Sequence, residues 1–166
     1  YELCLGLVGS EMCIIDRNNG DLWVGDVGQN RFEEIAIVKS GENHGWNVFE
    51  GFELFSTRYR NEGARFVAPI VSFRRKHGVS ITGGYVFRSP PGKASSFNGV
   101  YICADYQSKR LWGIRQRDRK LQVIREIGNC PDRVVSFGRD RSGDLYAIGY
   151  NLGVIYKLDF SEAVFE

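Results

Sequence analysis

From residue 21 onwards, short runs of strand-forming residues alternate with turn residues, and this alternation limits the fold more than any other feature of the sequence. The turns are rich in glycine, asparagine, aspartate, serine and proline. No segment of a dozen residues has the apolar spacing of an amphipathic helix. Ten runs predict strands, at residues 21–24, 34–38, 69–73, 81–87, 100–103, 110–114, 121–127, 134–137, 145–148 and 154–158. Strands at this spacing are typical of an all-β sandwich, barrel or propeller.

An internal repeat favours the propeller. Three segments share a polar residue, a glycine and an alternating strand with an aromatic residue: NGDLWV, NGVYI and SGDLYA. Their glycines are Gly20, Gly99 and Gly143, and the first and last lie 123 residues apart, or three steps of 41. A period of roughly 40–45 residues is typical of four-stranded propeller blades. About three blades fit this chain, and three blades cannot close into a ring. Either further blades lie outside this chain or the fold is not a propeller.

Composition and charge exclude two classes of protein. The 166 residues include 22 Lys and Arg against 20 Asp and Glu, a formal net charge of +2. A dedicated nucleic-acid binder would have a dominant basic excess. No apolar run approaches the roughly 20 residues of a membrane-spanning helix. Cys103 and Cys130 lie outside any C-x-x-C or Cys/His zinc spacing, and the sequence leaves open whether they form a disulfide.

The beginning of the chain has a different character. Residues 9–17 (GSEMCIIDR) look like the translation of a transposon-type sequencing adapter with one residue changed. On this interpretation, residues 1–14 are a non-native segment and residues 15–166 are the C-terminal portion of a propeller domain. The alternative is an authentic apolar edge strand.

Several longer strings occur in a fixed order. They are GDLWVGDVGQNRFEEI (20–35), GENHGWN (41–47), HGVSITGGYVFR (77–88), GVYICADY (99–106) and GDLY (143–146). In this order they resemble the C-terminal half of the glucose/sorbosone dehydrogenase family. That family comprises soluble sugar dehydrogenases that depend on pyrroloquinoline quinone (PQQ), and non-catalytic relatives such as the hedgehog-interacting propellers. The resemblance implies a six-bladed β-propeller, completed by N-terminal blades of the same protein.

The segment GDVGQN (25–30) is the first candidate site. It enters a glycine-broken loop with one carboxylate, two amides and free backbone carbonyls. Ca²⁺ takes six to eight oxygen ligands of this mixed kind, and a solvated polar turn explains the same residues. The resemblance implies that the carbonyls of Gly28 and Gln29 face a Ca²⁺ that holds the cofactor. It also implies that Glu34 contributes to a second, structural Ca²⁺.

Cations at strand ends form the second candidate site. PQQ carries three carboxylates, and the resemblance implies that Arg88 and Arg110 bind them, with Lys109 either adding a contact or crowding the cofactor. The alternative is that these residues are surface cations. His77 is expected to contact the sugar, or else to be a structural loop histidine. The basic run that contains it, residues 74–77, is expected to be a solvated loop.

Two functions follow from the resemblance. The first is oxidation of an aldose at its C1 hydroxyl by hydride transfer to PQQ, with Ca²⁺ and an electron acceptor, in the periplasm or outside the cell. The family's general-base histidine lies in an earlier blade, so no catalytic residue is expected in this chain, which alone would be inactive. The second is a non-catalytic extracellular propeller that binds a protein or glycan. The first function requires the Gly28–Gln29 turn, Arg88 and Arg110 to meet at one central mouth.

Overall fold

The computed structural model describes residues 12–16, 18–90, 92 and 94–166. These residues form thirteen β-strands, and none of them is in a helix. The strands are β1 (Met12–Ile15), β2 (Leu22–Asp26), β3 (Phe32–Val38), β4 (Phe49–Glu50), β5 (Glu53–Leu54), β6 (Val71–Arg74), β7 (Ile81–Val86), β8 (Tyr101–Asp105), β9 (Arg110–Arg117), β10 (Lys120–Asn129), β11 (Val134–Arg139), β12 (Leu145–Gly149) and β13 (Ile155–Leu158). The prediction of an all-β chain is confirmed.

The strands form three main antiparallel sheets and one hairpin. The first sheet has the order β1-β2-β3-β6, and the second has the order β7-β8-β9-β10. The third sheet has three strands, in the order β11-β12-β13, and β4 pairs with β5 in a separate hairpin. Two of the three predicted blades therefore have four strands, while the third has three within the described ranges.

The core lies on both faces of the second sheet. Successive side chains of a strand point to opposite faces, and in β8 Tyr101 and Cys103 enter one hydrophobic cluster while Ile102 and Ala104 enter another. The first cluster joins the first and second sheets and contains a stacked pair, Trp23 and Tyr101, with ring centroids 4.4 Å apart. The second cluster joins the second and third sheets. Full burial of one large apolar side chain contributes about 1.5–3 kcal/mol, so these clusters hold the sheets together.

The connections between strands lie at two opposite ends of the sheets. We call one the Gly28 end, which comprises the β2–β3 turn (27–31), the β6–β7 loop (75–80) and the β8–β9 turn (106–109). We call the other the Arg88 end, which includes the β1–β2 turn (18–21) and the residues that follow β7 (87–90).

Strand register assigns residues to these ends. Asp26 pairs with Glu34 where β2 ends and β3 begins, and Ile81 pairs with Asp105 where β7 begins. The Ile81 N–H donates to the Glu33 carboxylate at 2.9 Å, which places the start of β7 beside the start of β3. Because β7 has six residues, the two ends lie about 20 Å apart.

Two details concern the start of the chain and the cysteines. β1 pairs with β2, with Ile15 opposite Leu22, so the predicted boundary at residue 14 falls inside a strand. Most of the predicted non-native segment, residues 1–11, lies outside the described residues. Cys103 and Cys130 are both buried free thiols, so they do not form a disulfide.

Candidate functional site

The β2–β3 turn is held in one conformation by close packing. A Cβ atom added at Gly28 would lie 1.5 Å from the carbonyl oxygen of Phe32. The buried Glu50 carboxylate accepts hydrogen bonds from the N–H groups of Asn30, at 2.6 Å, and Arg31, at 2.9 Å. Burial opposes ionisation of Glu50, but these N–H groups outweigh it and lower the pKa. The turn therefore requires glycine at position 28 and an anion beneath it.

A single guanidinium fills the inside of this turn. Arg75 donates to the Gly28 carbonyl at 3.1 Å and to the Asn30 carbonyl at 2.9 Å. It also donates to the Val79 carbonyl at 2.5 Å and to the Glu33 carboxylate at 3.0 Å. Residues 74–77 were expected to form a solvated loop. Arg74, Lys76 and His77 are exposed, whereas Arg75 is half-buried and is held by these four contacts.

Glu33 is the buried partner of Arg75. Its side chain has 0% exposure, and burial raises its pKa to about 7, against the opposing effects of the Ile81 N–H and Arg75. One feature of the sequence indicates that Glu33 is buried, because it lies between Phe32 and Ile35 in an apolar strand. A buried carboxylate needs a charged or hydrogen-bonding partner. Nothing in the sequence identified Arg75 as that partner.

A second buried carboxylate positions the neighbouring loops. Asp105 accepts hydrogen bonds from the N–H groups of Val79 at 2.6 Å, Ser80 at 2.8 Å and Ser108 at 2.7 Å. It is fully buried at the end of β8. Asp105 therefore joins the β6–β7 loop to the β8–β9 turn at the Gly28 end.

The predicted cations Lys109 and Arg110 follow directly after this turn. Lys109 has a φ of 65°, a left-handed conformation that favours glycine, and its ammonium donates to the Pro131 carbonyl at 3.2 Å. Arg110 begins β9 and faces the Glu126 carboxylate at 3.7 Å. Both side chains are half-buried. Lys109 and Arg110 thus share one end of the sheets with the β2–β3 turn.

The other predicted residues of this end are exposed. His77 lies in the β6–β7 loop, and its ring meets Trp112 edge-on, with centroids 6.4 Å apart. Gln29 is exposed in the β2–β3 turn. The Gly28 end therefore combines amide groups with cations, an arrangement suited to a ligand that carries carboxylates.

Arg88 lies at the opposite end. It follows β7, and its guanidinium forms an ion pair with the carboxylate of Asp16, a buried residue that follows β1. The length of β7 separates Arg88 from Gly28 and Arg110. The expectation that all three meet at one mouth is wrong, because Arg88 comes after the strand whose start defines the Gly28 end.

The residues predicted to bind the two Ca²⁺ ions have other partners in this structure. The Gly28 carbonyl is engaged by Arg75, and the Glu34 carboxylate accepts a hydrogen bond from the Gly51 N–H. Burial raises the pKa of Glu34 to about 7, against that hydrogen bond, and the charges of Asp26 and Glu50 add to the rise. Within the described ranges, no group of three or more His, Cys, Asp or Glu side chains is arranged to hold a metal ion. Among the same residues, no helix could cross a membrane.

Two curated plant proteins are similar to this chain in sequence. HIPL2 protein of Arabidopsis thaliana is 28% identical over 145 residues, covering 80% of this chain and 20% of that protein. HIPL1 protein of the same plant is 29% identical over 181 residues, covering 89% of this chain and 26% of that protein. The chain thus spans about a fifth to a quarter of the length of these relatives.

Solved structures share the fold. The PQQ-bound form of aldose sugar dehydrogenase from Streptomyces coelicolor matches 92% of this chain and 40% of its own, with a TM-score of 0.60 and 17% identity. A glucose dehydrogenase matches 92% of this chain and 44% of its own, with a TM-score of 0.69 and 16% identity. The all-β architecture of this chain is thus that of part of a sugar dehydrogenase propeller. The family model for glucose/sorbosone dehydrogenase matches residues 9–155, and the chain therefore belongs to that family.

Proposed function

We propose that this chain is the C-terminal part of a sugar dehydrogenase propeller and that its Gly28 end faces the PQQ cofactor. When bound, PQQ would supply the hydride acceptor for oxidation of a sugar C1 hydroxyl. The chain's own residues would bind and orient the cofactor, and the general base would come from blades outside this chain. A periplasmic or extracellular location is part of the same proposal.

The observation that supports this proposal is that Lys109 and Arg110 lie at the same end of the sheets as the β2–β3 turn. A guanidinium has five N–H donors, and in the described part of the chain the ion pair of Arg110 is with Glu126 alone. Arg110 therefore suits a carboxylate of PQQ, and Lys109 suits a second. His77 stays a predicted sugar contact at the same end. Arg88 is left out, since the length of β7 separates it from this end.

The two predicted Ca²⁺ sites, one at Gly28 and Gln29 and one at Glu34, are considered separately. The Gly28 carbonyl is a poor Ca²⁺ ligand, because the positive charge of the Arg75 guanidinium that donates to it would repel the ion. Its predicted companion, the Gln29 carbonyl, belongs to the same turn, so no step is assigned to Ca²⁺ there. Glu34 stays a predicted ligand of a structural Ca²⁺, although within the described ranges no three acidic, histidine or cysteine side chains are arranged to hold a metal ion.

A quinone titration of the full-length protein tests the proposal. We expect the absorption spectrum of PQQ to shift on binding, and Arg110→Ala to raise the dissociation constant roughly 10- to 100-fold, the loss of one charged hydrogen bond. Arg117→Ala is the matched control, because Arg117 ends the same strand at its other end and is exposed. Equal dissociation constants for the two variants would contradict the proposed role of Arg110.

The second candidate is a non-catalytic propeller that binds a protein or glycan. The engagement of the Gly28 carbonyl by Arg75 favours it, because that contact takes an oxygen which the cofactor's Ca²⁺ was expected to use. The same titration separates the two candidates. A full-length protein that leaves the PQQ spectrum unchanged would favour the second.

A further inference from the structure

The inside of the β2–β3 turn resembles a cation site in its oxygen atoms. Two carbonyls of the turn, those of Gly28 and Asn30, lie around one shared space with the carbonyl of Val79 and the carboxylate of Glu33. A hard divalent cation takes ligands of this kind, backbone carbonyls together with a carboxylate. In this chain that space is occupied by the guanidinium of Arg75, and each of its three nitrogens donates to at least one of these oxygens.

The turn cannot easily offer these oxygens to a second cation. Its backbone is fixed by the contact between Gly28 and the Phe32 carbonyl, and by the hydrogen bonds of Glu50 to Asn30 and Arg31. Ca²⁺ binds oxygen at 2.3–2.6 Å. An ion at that distance from the Gly28 carbonyl would share the oxygen with the Arg75 nitrogen, which lies 3.1 Å from it. Two like charges would then lie side by side, which is unfavourable.

The charge of the site is already balanced. Glu33 has 0% side-chain exposure, and an unpaired buried carboxylate is strongly unfavourable. Arg75 supplies the opposite charge at 3.0 Å and keeps 34% of its side chain exposed towards the Gly28 end. The guanidinium therefore does what a bound metal ion would do: it interacts with the three carbonyls and neutralises the carboxylate.

We propose that Arg75 is a resident cation of the β2–β3 turn, which takes the place of a divalent metal ion and makes this part of the site independent of Ca²⁺. The turn is then preformed without a bound metal ion, and its four hydrogen bonds leave one of the five guanidinium N–H groups of Arg75 for a ligand at the Gly28 end. This inference goes beyond the proposed function and does not depend on PQQ being the ligand.

Calcium counting on the full-length protein tests the proposal. The protein is first freed of metal with a chelator, and Ca²⁺ is then titrated into it by calorimetry. We expect Arg75→Ala to bind one more Ca²⁺ per chain than the wild type, because it frees the three carbonyls and Glu33. Arg117→Ala is the matched control and should bind the same number as the wild type. Equal numbers for Arg75→Ala and the wild type would overturn the proposal.

A measurement on the wild type covers the case in which the Arg75→Ala variant does not fold. Crystals of the full-length wild type are soaked in Tb³⁺, which replaces Ca²⁺ and gives an anomalous signal. We expect no anomalous peak within coordination distance of the Gly28 carbonyl, and a peak there would overturn the proposal. Neither measurement involves quinone, so a failed quinone titration would count against the proposed function alone.

Discussion

At position 28 the absence of a Cβ atom allows the close packing of the β2–β3 turn. A Cβ there would lie 1.5 Å from the Phe32 carbonyl oxygen, so Gly28→Ala must displace the β2–β3 turn. We expect a loss of about 3 kcal/mol in the free energy of unfolding of the full-length protein, measured by urea denaturation. Gly138→Ala in β11 is the control, because its Cβ meets nothing within 4 Å. If both variants lost the same free energy, the close packing of the turn would be contradicted.

The contact between Glu42 and Arg119 makes the stability of the folded protein depend on pH. The two guanidinium nitrogens donate to the two carboxylate oxygens at 2.6 and 2.7 Å, and these hydrogen bonds lower the pKa of Glu42 to about 2. The pKa of Glu42 in the folded protein therefore lies below 4.5, the ordinary value of a free glutamate side chain. The stabilisation is therefore complete above about pH 4.5 and is lost as the pH falls towards 2.

The corresponding variant is Glu42→Gln in the full-length protein. The side chains of Glu42 and Arg119 are 20% and 24% exposed, so solvent screening limits the loss at pH 7 to about 1 kcal/mol. We expect the difference between variant and wild type to shrink between pH 5 and pH 3, measured by urea denaturation at each pH. Glu62→Gln, in an exposed loop, is the control. A difference that stays constant with pH would show that the charge of Glu42 does not stabilise the fold.

Between elements, buried carboxylates hold the loops of the Gly28 end. Asp105 accepts three backbone N–H groups, and in Asp105→Asn one of the two oxygens becomes a donor that faces them. We expect a loss of about 2–3 kcal/mol in the free energy of unfolding, together with faster hydrogen exchange at Val79 and Ser80. Asp159→Asn, which changes an exposed carboxylate, should cost less than about 1 kcal/mol. Unchanged exchange at Val79 and Ser80 would contradict the linking role of Asp105.

The strands were largely predictable, because each is bounded by turn residues and rich in β-branched or aromatic side chains. The run 81–87, for example, became β7 (Ile81–Val86), and 145–148 became β12 (Leu145–Gly149). The short hairpin of β4 and β5 was missed, since two-residue strands leave no alternating pattern. The sequence motifs do not show at which of the two ends of the sheets a residue lies. For this reason Arg88 was grouped with Arg110. The partner of Glu33 is 42 residues away along the chain, a contact that no local pattern encodes.

At the scale of the whole molecule, the described residues leave one sheet edge with exposed apolar side chains. β7 lies at the centre and contacts β1 and β2 on one side and β11 on the other. The third sheet ends at β13, where Ile155 is 66% exposed. Large apolar side chains at a sheet edge are normally covered, and we expect blades outside this chain to cover this one.

The location of the quinone in a crystal structure of the full-length protein tests the central claim most directly. The account predicts PQQ at the Gly28 end, with at least one of its carboxylates within hydrogen-bonding distance of Lys109 or Arg110. The Gly28 carbonyl should keep its hydrogen bond to Arg75 in the same crystal. Quinone bound at the Arg88 end, in contact with Arg88 in place of Asp16, would contradict the account.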